Sequence, residues 1–289
     1  MKKTWKRLVA GVLALTMAAA LTACAGKSDQ DKVTIAIPND TTNEARALLL
    51  LQEQGYITLK DGVGITATIR DIADNPYGIS FNEVEAAQLP NVLQDVDYAI
   101  INGNYAIDAG LNPTKDALVL EGSESPYVNI LVAREGNEGS DKIKALAAAL
   151  QSKKVVEYIA ENYDGAVVGT VTSPTDGYDA SVDYAALAGT TISIAATPAP
   201  HAEILTVVKE LLAAKDITLN VIEYTDYVQP NNVVESGEVD ANFFQHVPYL
   251  EDFNQENGTH LVSVAGIHIE PMGLFGGKQT SLDAIKNTK

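Results

Sequence analysis

The sequence predicts an α/β protein of two lobes. Apolar runs of strand length alternate with amphipathic stretches of helix length along most of the chain. Cap and turn residues stand between them. The chain has 289 residues, 46% of them hydrophobic and 20% charged, enough for two cores.

The first 23 residues stand apart from both lobes. Lys2, Lys3, Lys6 and Arg7 precede an almost unbroken apolar run from Leu8 to Leu21, the pattern of a secretory leader. It ends in Leu21-Thr22-Ala23-Cys24, which resembles a bacterial lipobox and marks Cys24 for lipidation. A diacylglyceryl group there would hold the protein at the extracytoplasmic face of a membrane, since each buried methylene contributes about 0.8 kcal/mol. Cys24 is the single cysteine, which excludes a disulfide framework and a thiolate metal site. Residues 24–31 read as a polar tether. The formal net charge is −18, and leader removal would take four positive charges from it. With no basic stripe, nucleic acid is excluded as a partner.

Lys32 to Pro38 reads as a buried strand, followed by cap-type residues Asn39 to Thr42 and a helix from Asn43 to Gln54, with Gly55 fitting its C-terminal cap. Arg46 is expected in the first turn. There a guanidinium beside the helix N-terminus would receive a carboxylate, or else pair on the surface with Glu44 or Asp40. Residues 65–72 alternate like a strand and 82–90 like a helix. Val96 to Ile101 is a strand ending at Asn102, a position where open α/β sheets bind ligands, and equally a plain turn position ahead of Gly103. Residues 32–121 thus form the expected first lobe, carrying Arg46.

Residues 122–289 form the expected second lobe. Tyr127 to Ala133 is a strand with Asn129 inside it. A mid-strand asparagine is unfavourable by propensity, so it requires a hydrogen-bond network or a ligand. Asp141 to Asn162 has the period of one long helix. Residues 170–190 contain Thr-Ser-Pro-Thr-Asp-Gly and neither Lys nor Arg, and read as an internal linker. Then come a strand at 191–195, a turn at 197–201, a helix at 201–214, a strand at 216–224, and strands at 261–264 and 267–275. His201, His260 and His268 are scattered, without metal-ligand spacing, so no metal and no cofactor is expected.

Asp240 to Leu250 is the most informative stretch. It begins as a strand and turns into a helix at Pro248. Strand alternation puts Phe244 and His246 on one face and Phe243 on the other. With Tyr249 they can form an aromatic wall with one polar tip, or a plain core strand with a satisfied histidine.

Longer segments carry a resemblance. Thr197-Pro-Ala-Pro-His-Ala-Glu-Ile-Leu205, Tyr224-Thr-Asp-Tyr-Val-Gln-Pro230, Asp240 to Leu250, Ile37 to Asn43, Arg46 to Leu51, Glu85 to Pro90 and Ser125 to Asn129 resemble the methionine-binding lipoproteins of bacterial ABC importers. The resemblance covers about 32–169 and 191–289 and implies a two-lobe type-II periplasmic binding protein with a central cleft. It further implies that Arg46 binds an amino-acid carboxylate. Asn102 and Asn129 would hold the α-carboxylate and α-amino ends. Tyr227, Phe244, His246 and Tyr249 would enclose a thioether. The implied partners are L-methionine, an ABC permease and, through the lipid, a membrane, with the protein a monomer.

The segment order departs from the family. There the Thr-Pro-Ala-Pro-His segment comes early and the Ile-Pro-Asn-Asp segment late. Here the order is rotated, as in a circular permutation, with 170–190 bridging the former ends. The expectation is that one crossover between lobes, near 122–126, stays joined. The other would be cut into the two termini, which loosens the hinge and ties the anchor to the second lobe.

No Gly-x-Ser-x-Gly, no partnered Ser-x-x-Lys and no metal spacing is present, so the chain is read as a binding protein and not an enzyme. Alternatives are a binder of D-methionine, methionine sulfoxide or a methionine dipeptide, and a non-transport surface protein on the same scaffold.

Overall fold

Strand β1 (Thr34–Pro38) is buried on both faces nearly throughout, as expected of a strand inside a parallel sheet. A computed structural model describes residues 32–122 and 126–287. The leader, Cys24 and the tether lie outside the described residues.

In chain order the strands are β1, a short pair β2 (Thr58–Leu59) and β3 (Ile72–Asp74), β4 (Ser80–Val84), β5 (Tyr98–Ile101), β6 (Ala117–Leu120), β7 (Val128–Arg134), β8 (Val168–Gly169), β9 (Thr191–Ala196), β10 (Thr218–Glu223), β11 (Ala241–His246), β12 (Leu261–Ile269) and β13 (Gly273–Gly276). The longer helices are α1 (Thr41–Glu53), α2 (Gly103–Asp108), α3 (Asp141–Leu150), α4 (Lys153–Asn162), α5 (Glu203–Ala213), α6 (Gln229–Glu235) and α7 (Val247–Asn257).

Two sheets organise the lobes. One has five strands in the order β4-β1-β5-β13-β6, and the other six in the order β10-β9-β11-β7-β12-β8. They share a plan. In the first, β4 and β5 flank β1 in parallel; in the second, β10 and β11 flank β9 in parallel. In each, the next strand runs antiparallel and arrives from the other lobe: β13 in the first, β7 in the second. The expected two-lobe α/β class is therefore observed.

The lobe boundary differs from expectation. β13 lies in the five-stranded sheet, so 122–289 is not one lobe. Among the described residues the chain passes from one sheet to the other twice, from β6 to β7 and again at residues 270–272, and neither passage is made by the two termini. The expected cut strap does not occur. The described ends instead meet inside the five-stranded lobe, where Asp97 Oδ2 accepts from the Thr34 backbone N–H (2.9 Å) and Oδ1 from Gln279 Nε2 (3.0 Å). Residue 32 thus leads into the first lobe, not the second.

Other differences have local causes. Residues 65–72 form tight turns because Thr68 and Asp71 make a capping box, and only β3 is extended. Residues 80–84 join β1 as a parallel strand, and helical structure starts at Ala86. The long helix at 141–162 is two helices, because the Ser152 side chain accepts from the Val155 backbone N–H and starts α4. β12 runs unbroken through 261–269.

Segment 170–190 is not a free coil. It packs on the six-stranded lobe: Thr175 bridges Ser152, Tyr178 Oη donates to the Leu211 carbonyl (3.2 Å), and Lys215 Nζ sits 4.3 Å over the Tyr178 ring.

Candidate functional site

α1 starts one turn before Arg46. Asp40 is its N-cap, with Oδ1 accepting from the Asn43 backbone N–H (3.0 Å) and Asn43 Nδ2 (2.8 Å). Arg46 therefore lies beyond the first turn, and the helix N-terminus is not its partner in anion binding. Its neighbours are not Glu44 or Asp40 either. Arg46 Nε donates to Glu121 Oε1 (2.8 Å), while Nη2 donates to Glu121 Oε2 and to the Glu270 carbonyl (2.9 Å). Its guanidinium carbon stands 4.2 Å from the Tyr127 ring centre. Burial opposes the charge, but bonding to Glu121 outweighs it and holds the guanidinium above its usual pKa.

A small cavity opens between the lobes. Every residue selected from the sequence for ligand binding lines it: Arg46, Asn102, Asn129, Tyr227, Phe244, His246 and Tyr249. Arg46 and Asn102 come from the five-stranded lobe, Asn129 and the rings from the other. Sequence reasoning missed Asn43, Asn104, Gln245 and Glu270, which line it too.

The ring wall grows from β11 and the start of α7. Phe243 faces away into the core of the six-stranded lobe, as alternation predicts, while Phe244 and His246 face the cavity. A register shift between Phe243 and Gln245 brings Gln245 to the cavity as well. The Tyr227 ring lies 5.8 Å from both Phe244 and Tyr249, and stacks on Tyr105 of the opposite lobe at 4.9 Å. Tyr227 Oη donates to Asn104 Oδ1 across the cleft (2.6 Å), and Tyr105 Oη to the Thr225 carbonyl (2.9 Å). The lobes are thus in contact around the cavity.

His246 caps α7, its Nδ1 accepting from the Tyr249 backbone N–H. Burial and the nearby Arg46 charge push its pKa well below normal, so the ring is neutral with its proton on Nε2. Burial raises Tyr227 and Tyr249, keeping both as phenols.

The histidines correct a further expectation. His201 and His268 are far apart in sequence, yet their rings lie 5.1 Å apart, both buried. His268 Nε2 bonds Glu270 Oε1 at 2.5 Å, and His201 Nε2 lies 3.2 Å from the same oxygen. The three donors fall within 4.8 Å of one another, a spacing compatible with a metal ion, which spacing along the chain did not reveal. Burial lowers His201 to about 3, whereas Glu270 is held below the usual carboxylate range: burial opposes its charge, but His201, His268 and Arg46 outweigh that. The carboxylate therefore accepts on the Nε2 side of both rings, while His268 Nδ1 is buried with no hydrogen-bond partner among the described residues.

A family model described as NlpA lipoprotein matches residues 27–171 and 192–289. The chain is similar to a probable D-methionine-binding lipoprotein of Vibrio cholerae, 47% identical over 139 residues, covering 48% of this chain and 52% of that protein. It is also similar to the D-methionine-binding lipoprotein of Escherichia coli K12, 45% identical over 141 residues, covering 48% and 52%. The chain spans about half the length of the curated relatives it matches. Among solved structures, a nutrient binding protein from Burkholderia cenocepacia bound to methionine is 48% identical, with a TM-score of 0.45, over 48% of this chain and 61% of that one. No helix among the described residues is long and apolar enough to cross a membrane.

Proposed function

The chain belongs to the NlpA lipoprotein family, and from that premise we propose that it captures methionine, or a close analogue, outside the cytoplasm and delivers it to an ABC permease without chemical change. One observation carries the reading. A cation, two buried amides and a cluster of rings, drawn from both lobes, line one small cavity. Thioether sulfur packs well against ring edges, at about 0.3–1.5 kcal/mol per contact. A buried amino-acid carboxylate requires a cationic partner, and Arg46 Nη1 makes no hydrogen bond to another described residue. Ligand held by both lobes would favour the closed arrangement. The names of the curated relatives support methionine, and leave L and D forms as outcomes of the test.

Calorimetry of the full chain with L-methionine and D-methionine tests the reading. Saturable one-site binding of either, with the ligand recovered intact, supports it. A flat titration with both removes it.

We also infer that the family's segment order is rotated here. Matching halves on either side of 172–191, and two chain ends meeting at Asp97, support this. So do collinear alignments of about half length, since such an alignment can follow only one rotated half. With both crossovers intact, re-permuting the chain to the usual order should leave ligand affinity unchanged. A large change would count against the rotation being neutral.

A further inference from the structure

Asn102 and Asn129 are 4% and 5% exposed, and the hydrogen bonds behind each fix which way its amide faces. Behind Asn102 the direction is set by Asp40. Its Oδ1 accepts from both nitrogens of Asn43, so Asn43 turns its own Oδ1 toward Asn102 and accepts from Asn102 Nδ2 at 2.8 Å. Asn102 Oδ1 is left as a buried acceptor with no partner among the described residues. A buried acceptor left unfilled is destabilising unless something donates to it.

Behind Asn129 the direction is set by Glu270. Its carboxylate can only accept, so His201 carries its proton on Nε2, and Nδ1 takes the Thr197 hydroxyl at 2.8 Å. Nε2–H then also faces Asn129 Oδ1 at 3.0 Å. Asn129 Nδ2 makes no hydrogen bond to another described residue and remains as a donor for the cavity.

The two amides are therefore of opposite sign. Glu270 lines the same cavity as a second acceptor, and its Cβ and backbone pack against Gly103, next to Asn102: a Cβ on Gly103 would lie 2.9 Å from Glu270 Cβ. We propose that Asn102 Oδ1 and the Glu270 carboxylate form a receptor for the ligand's α-ammonium, while Asn129 donates to the carboxylate end. Glu270 becomes a specificity-determining residue, and the ends held by Asn102 and Asn129 are reversed from those the resemblance implies. The inference rests on the reading that an amino acid binds here. It selects a free ammonium, whose three N–H groups need acceptors, and rejects an α-nitrogen tied up in an amide. A dipeptide with methionine second is thereby disfavoured.

The test is calorimetry of the full chain with methionine, N-acetylmethionine and 4-(methylthio)butanoate, which lacks the amine, for the wild type and Glu270→Gln. Charge-assisted bonds to the ammonium predict that the wild type prefers methionine over both analogues by about tenfold or more. Glu270→Gln should weaken methionine by a similar factor and leave 4-(methylthio)butanoate within about twofold. Equal weakening of both ligands in the variant, or wild-type binding of N-acetylmethionine as tight as methionine, overturns the proposal. The wild-type series decides alone if the variant does not fold. A wild type that ignores methionine but binds another free amino acid with the same Glu270 dependence rejects the thioether reading and keeps the ammonium receptor. Failure to bind any ammonium-bearing ligand rejects both.

Discussion

On the five-stranded side of the cavity each polar group is held by another polar group; on the six-stranded side the rings mostly hold one another. Arg46 is gripped by Glu121, and Asn102 by Asn43 and, through it, Asp40. Phe244, Tyr249 and Phe253 instead form an apolar cluster with Tyr227 against it. The first arrangement is directional, and loss of one partner strands the next. The second depends on contact area and tolerates small shifts. A two-faced ligand meets a rigid polar template on one side and an adaptable wall on the other.

The largest expected break is on the polar side. Arg46→Met leaves Glu121 without its partner and should cost about 3–5 kcal/mol in denaturant unfolding. Adding Glu121→Gln should recover much of that loss, which a packing defect would not allow. Phe244→Ala removes a ring that is 4% exposed and should cost about 3 kcal/mol. If the contrast holds, no second substitution nearby repairs it.

Acid should act through the amide and imidazole network rather than the rings. His201 is held down to about 3 by burial, whereas an unfolded histidine titrates near 6.5. Between those values the unfolded chain binds the extra proton, so stability falls as pH drops below about 6.5. At pH 5 the loss from this group is about 2 kcal/mol. Glu270, with its depressed pKa, adds a further loss once pH falls below the usual carboxylate range. Unfolding at pH 7 and pH 5 checks this, and His201→Gln should flatten the difference. The smallest effect is expected at Lys115, which pairs with Asp164 across the lobes at 2.8 Å but is exposed. Lys115→Ala should leave the melting temperature unchanged within error, as exposed pairs contribute little.

Much of this was legible in the chain. Residues 240–250 declare a strand by alternation and a helix by Pro248, so the wall could be read directly. Asn129 betrayed itself as a polar residue in an apolar strand. Ser152 and the Thr68–Asp71 box carry ordinary cap signals, and apolar periodicity masked both. Glu270 left no such mark. Its significance comes from His201, brought over from a different strand–helix unit, and from Gly103 of the other lobe. Pairings that depend on how β9, β12 and α2 stack in space have no local pattern to announce them. The same holds for Glu121, whose link to Arg46 spans the first lobe from α1 to the end of β6.

Glu270 stands where β12 leaves one sheet for β13 of the other, and it also lines the cavity. The carboxylate proposed to meet the ligand's positive charge therefore sits on a segment that joins the two lobes. A guest that neutralises it would act directly on the covalent connection between the halves, and not only on the walls that face it.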